Sequence, residues 1–225
     1  MSRLARALVL LVSFSSVAAA AGFAQPPPAA AVATVSSQFP VEPTLERRIE
    51  MPSRAEVRKA LAEARAKNLA SFHTYMRLGV FPNNTHKGGF ANVWRDDSGH
   101  FCAAATIMRM SGNDVLATKV ADENNGLRLA DVTQGEVMSW ILTSGFTQEE
   151  LALIQRPFRP VVDKPAPAPV LVEVDPDMRR AETARLAKLY KSIDKQLVAK
   201  QKQSLDLAVD RLMENPTLAW QLVRG

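Results

Sequence analysis

The sequence predicts a mainly α-helical protein: a small helical domain followed by a long C-terminal amphipathic helix. Three observations carry that expectation. Ser53/Glu56, Thr133/Glu136 and Thr147/Glu150 each repeat the spacing of a capping box, in which side chains satisfy the free amides of a helix start. Gly79 and Gly145 stand where two of those helices should stop. Apolar residues recur at helical spacing from Val57 to Tyr75 and again from Leu186 to Leu212.

The first helix follows Ser53, with Val57, Leu61, Ala64, Asn68, Phe72 and Tyr75 along one stripe. Gly79 is a left-handed cap, Val80 packs back on Tyr75, and Pro82 prevents continuation. Residues 83–100 read as irregular, with turn signals at Gly88-Gly89 and Asp96-Asp97-Ser98-Gly99 and a short strand over Phe90–Arg95. Phe101–Met110 fits a buried helix carrying Phe101, Ala104, Ala105 and Met108, the alternative being a short β-hairpin near residues 90–105. Asn113 caps a helix over Asp114–Glu123, Thr133 starts one carrying Val137, Met138, Trp140, Ile141 and Leu142, and Thr147 starts one through Ile154.

From Pro176 the chain reads as one uninterrupted helix to about Glu214. At 100° per residue, Leu186, Tyr190, Ile193, Leu197 and Ser204 lie within about 60° of one another, and Lys188, Lys191, Lys195 and Lys202 cluster opposite. Asn215-Pro216 breaks this helix before a short last segment with Trp220.

Composition divides the chain further. Arg3 and Arg6 precede an apolar run from Leu8 to Ala21 and the small residues Gly22-Phe23-Ala24, the three-part layout of a signal peptide over residues 1–24. The run is shorter than the roughly 20 residues that span a bilayer. The expected product is exported, periplasmic or extracellular. Residues 25–50 are a Pro/Ala-rich tether, 51–158 the helical domain, 159–176 a Pro-rich linker, and 177–225 a long basic helical arm. Loss of the leader takes Lys+Arg from 28 to 26 against 23 Asp+Glu, so the formal charge falls from +5 to +3. That modest excess does not point to a nucleic-acid partner. Cys102 is the only cysteine, so no internal disulfide forms.

The densest polar stretch is Asn92–Cys102. A helix beginning near Gly99 would put Cys102 in its first turn, where helix amides favour a thiolate, with His100, His86 or His73 as proton acceptor. This is the candidate pair for a cysteine-dependent hydrolase or thiol-redox protein. Papain-like order is absent, because no histidine follows Cys102. The competing reading is a buried, inert cysteine. Zinc ligation by His73, His86, His100 and Cys102 lacks the spacing of known sites, and the acidic residues lack that of a calcium loop, so no metal or other cofactor is expected. Between Arg185 and Lys202 there are six basic residues and one acid, Asp194. Lys188, Lys191, Lys195 and Lys202 are therefore candidate contacts to an anionic envelope surface, while the apolar side of the helix suits a protein partner or self-association.

The central stretch resembles a group of small secreted proteins of myxobacteria and related Gram-negative bacteria. The residues that carry the resemblance are Val93-Trp94-Arg95-Asp96, Gly99-His100-Phe101-Cys102-Ala103, Leu129-Ala130-Asp131-Val132, and the run from Trp140 to Glu150. It covers about 80 of the 225 residues and excludes the chain beyond residue 160. The group carries no assigned activity, so the resemblance implies secretion and a coherent domain. The expected function is an exported, non-catalytic binding or structural protein of the bacterial envelope, the alternative being thiol chemistry at Cys102 with His100.

Overall fold

Ser53 starts the helix on which the other elements are assembled. In the computed structural model its hydroxyl accepts from the Glu56 amide, and the Glu56 carboxylate accepts from the Ser53 amide at 2.8 Å. Helix α1 runs over Arg54–Leu78 and ends at Gly79, whose φ of 63° lets its N–H reach back to the Tyr75 carbonyl. Phe81, not Val80, packs on Tyr75, with ring centroids 5.2 Å apart; Val80 is exposed. The structure describes residues 51–83, 85–86, 89–90, 93–156 and 176–225. The expected signal peptide, the tether and most of the Pro-rich linker lie outside the described residues.

The protein is mainly helical, as its capping signals and periodicity predict. A two-residue antiparallel pair, β1 (Thr85–His86) with β2 (Gly89–Phe90), precedes a single antiparallel bridge between Arg95 and Phe101. The hairpin alternative near 90–105 thus shrinks to that bridge, and the chain turns helical as α2 (Ala103–Met110). Trp94 locks this turn into the core: its indole N–H donates to the Leu127 carbonyl, and the Cys102 amide donates to the Trp94 carbonyl.

Helix α3 (Asp114–Glu123) follows Asn113, whose amide turns back to Ser111 instead of capping the helix. A 3-10 turn over Leu129–Asp131 is clamped by two glutamines: Gln148 donates to the Leu129 and Val132 carbonyls, and Gln155 bonds the Leu129 amide and the Leu127 carbonyl. Helix α4 (Gly135–Thr143) does not use the expected Thr133/Glu136 box. Gly135, at φ 82°, admits the chain through the left-handed region two residues later, and Glu136 pairs with Lys119. Helix α5 (Gln148–Gln155) does carry its box, Thr147 with Glu150.

The C-terminal half departs most from expectation. The single helix divides into α6 (Pro176–Ala199) and α7 (Gln201–Met213), separated at Lys200, before α8 (Pro216–Arg224). Nor is it an arm: it belongs to the same unit, Arg48–Gly225. Leu186, Tyr190, Ile193 and Leu197 are all at most 4% exposed and join the core of Phe72, Tyr75, Trp94 and Ile107. Leu205, Val209 and Leu212 of α7 close on Val57 and Leu61 of α1, with Ala219 of α8. Each fully buried apolar side chain contributes about 1.5–3 kcal/mol, so peeling away the α6 stripe alone costs several kcal/mol. The apolar stripe identified the buried face of this helix, and α1 and α5 together bury it.

Candidate functional site

Cys102 is the N-cap of α2, one residue outside the helix, and is fully buried. Burial pushes its thiol up to about 11, although the amides of Ala105 and Ala104 favour the thiolate. His100 is not its base. The His100 ring nitrogen Nδ1 faces Asp96 Oδ2 at 3.3 Å, and no hydrogen bond joins it to the thiol. His73 lies elsewhere, its Nε2 2.8 Å from Asp194 on α6. The His86 side chain is outside the described ones. Among the described residues, then, the thiol is buried and neither His73 nor His100 is placed to take its proton, and the helix start near Gly99 is replaced by the 95–101 bridge. Among the described residues, no three His, Cys, Asp or Glu side chains are grouped to hold a metal ion.

Asp96 organises the turn instead. Its carboxylate accepts from the amides of Asn83, Ser98 and His100 at 2.7, 2.9 and 2.8 Å. Burial would raise its pKa, but the bonds to Asn83 and His100 outweigh that and hold it below the ordinary carboxylate value.

The four predicted lysines are all exposed, on the side of α6 and α7 away from the core. Lys188, Lys191, Lys195 and Lys202 enter no ion pair among the described residues. Elsewhere surface arginines are matched by acids: Arg54 with Asp210, Arg58 with Asp206, Arg95 with Asp122 and Arg109 with Asp114. Asp194, the one acid of the stretch, is engaged by His73 on α1. The lysine face is thus left without internal neutralisation, while the apolar stripe behind it is spent within the chain.

Arg65 was not visible as a functional residue in the sequence. It occupies the apolar stripe of α1 and is 1% exposed. Its guanidinium donates to both oxygens of Glu150, at 2.7 and 2.8 Å, and to the Gly145 and Leu197 carbonyls at 3.1 and 2.9 Å. Phe146 lies beneath it, 4.7 Å from the ring centroid. Ser204 of α7 donates to the same carboxylate at 2.7 Å. The helix break is explained here: Leu197, whose carbonyl lies in the last turn of α6, is capped by Arg65, a cation at a helix C-terminus. The available signal was a charged residue inside a helical apolar stripe, paired in space with the glutamate of a capping box.

Against α5, the break leaves a cavity of about 210 Å³ open on one side. Its floor is the Glu150–Ser204 pair, its walls include Leu153 and Leu207, and Gln196, Lys200 and Gln203 stand at its edge. No helix among the described residues is long and apolar enough to cross a membrane. No protein-family model, curated protein or solved structure matches the chain.

Proposed function

We propose that the chain is an exported, non-catalytic binding protein of the bacterial envelope that docks on a polyanionic surface through the lysine face of α6 and α7. The observation that carries this reading is the contrast between faces: four exposed lysines with no ion pair among the described residues, on two successive helices whose apolar faces are consumed by the chain's own core. That burial argues against self-association through the α6 stripe and against α6 lying in a bilayer, since either requires the core to open. Export is supported by the layout of residues 1–24.

Lys188 and Lys195 are separated by about 10 Å along the helix axis, close to the Debye length at 0.1 M salt. Each lysine near an anionic surface contributes on the order of 1 kcal/mol, so four together change affinity by up to about three orders of magnitude at low salt. The test is binding of the purified chain to lipopolysaccharide and to phosphatidylglycerol vesicles at rising salt. Binding that weakens with salt and is lost when all four lysines become glutamine supports the reading. Binding insensitive to those substitutions, or none at low salt, refutes it.

A further inference from the structure

Asp194 sits among the lysines of α6 on the helix surface as well as in sequence. Lys191 and Asp194 are three residues apart and so neighbours on one side of the helix; Lys191 in turn neighbours Lys188, three before it, and Lys195, four after it. The carboxylate therefore offsets one of the three lysine charges of α6. It is held by the other helix: Asp194 Oδ1 meets Nε2 of His73 on α1 at 2.8 Å. His73 is exposed and Asp194 half-buried, so protons reach both. The other charges on the elements packed here are set apart from the pair. On α1, Arg77, one turn beyond His73, donates to the Thr74 hydroxyl, and Lys67 is about 120° round the helix. On α6, the residue one turn after Asp194 is the uncharged Val198. Glu149 of α5 lines the cavity on the opposite flank of α6, with Gln196 and Lys200, and Glu150 is bound by Arg65. Asp206 and Asp210 of α7 pair with Arg58 and Arg54, toward the start of α1, where Arg224 of α8 also stands near Glu56. Arg109 of α2 pairs with Asp114.

Histidine is the side chain whose ordinary charge change falls between about pH 5 and 8, a range in which ordinary carboxylates and lysines keep their charges. With His73 neutral the pair carries one negative charge beside Lys191; with His73 protonated it carries none. We infer that the His73–Asp194 pair is a proton switch on the docking face: proton uptake by His73 cancels the aspartate charge, and the chain holds a polyanion more tightly as pH falls through the histidine range. The inference rests on the docking reading above and adds the condition under which that face binds best. One positive charge gained beside an anionic surface raises affinity about fivefold at low salt. By linkage, a bound polyanion favours the protonated form of His73 by the same factor.

The test compares the purified chain with His73→Gln, with Asp194→Asn and with the variant in which the four lysines are glutamine, each checked for its fold by circular dichroism. The probes are phosphatidylglycerol vesicles, whose phosphodiester keeps its charge over this range, and lipopolysaccharide, whose phosphate monoesters titrate near pH 6. Comparing chains on the same probe removes the probe's own titration. The expected ratio of affinity at about pH 5 to that at about pH 8 is about fivefold larger for the unaltered chain than for His73→Gln, and Asp194→Asn binds about fivefold more tightly than the unaltered chain at about pH 8. A ratio that persists in His73→Gln belongs to His86 and His100. Equal ratios for the unaltered chain and His73→Gln on both probes, or an Asp194→Asn chain that binds no more tightly, overturns the switch. If the four-lysine variant has then lost binding, the docking reading stands without the switch. If that variant binds like the unaltered chain, the docking reading fails and the switch with it.

Discussion

Replacing Arg65 by methionine tests how the C-terminal helices are held. The substitution keeps most of the aliphatic volume and removes four hydrogen bonds: two to Glu150, one to Gly145 and one to Leu197. It leaves the Glu150 carboxylate buried with only the Thr147 amide and the Ser204 hydroxyl, and it uncovers the Leu197 carbonyl at the break. Removing one partner of a buried ion pair costs about 3–5 kcal/mol. For a folded unit of this length that is a fall of about 6–20 °C in Tm. The Arg65→Met/Glu150→Met double variant removes both charges and should lose less than the sum of the single losses, by about 1–3 kcal/mol. Urea denaturation followed by circular dichroism measures all three. Single losses below about 1 kcal/mol, or additive singles, would refute the view that this pair joins α1, α5, α6 and α7.

Three further outcomes follow from the same geometry. Gly145→Ala should cost at least about 3 kcal/mol in thermal unfolding: its Cβ would stand 2.3 Å from the Leu61 carbonyl oxygen and 2.6 Å from the Arg65 amide, at a φ of 78°, and neither backbone atom can rotate away. Cys102 should stay unmodified by a thiol reagent at neutral pH until urea unfolds the chain, and the stability linked to its raised thiol should be present at neutral pH and lost as pH climbs toward about 11; rapid labelling of the native chain contradicts this. Asp96, with its pKa held low in the folded state, stabilises the fold above the ordinary carboxylate range and loses that effect as pH falls through its folded value, so Asp96→Asn should flatten the acid limb of a stability-versus-pH profile, read from Trp94 fluorescence.

Local signals were legible and distant ones were not. The Ser53/Glu56 and Thr147/Glu150 boxes and the Gly79 cap involve residues at most four apart, so the sequence contains the whole interaction. Thr133/Glu136 had the same spacing but lost to Gly135, whose left-handed conformation moves the helix start beyond the box. The break at Lys200 has no glycine or proline to mark it, because it is made by a guanidinium 132 residues away. The stripe through Leu186 and Tyr190 named the buried face correctly, yet periodicity cannot say which element covers it, and so an integral helix looked like an arm. At the candidate sites, lysine exposure followed from the same angles, and the reading of Cys102 as a buried cysteine also holds, whereas the residues that cover it, Trp94 and helices far away in the chain, were not legible.

The central claim is that α6 gives one face to its own core and the other to a polyanion. The most direct measurement is a backbone amide NMR titration of the purified chain with lipopolysaccharide oligosaccharide at low salt. Shifts concentrated at Lys188, Lys191, Lys195 and Lys202, leaving Leu186, Tyr190 and Cys102 in place, are the predicted result. Shifts spread through the core residues, or centred on a different face with these lysines silent, would contradict it.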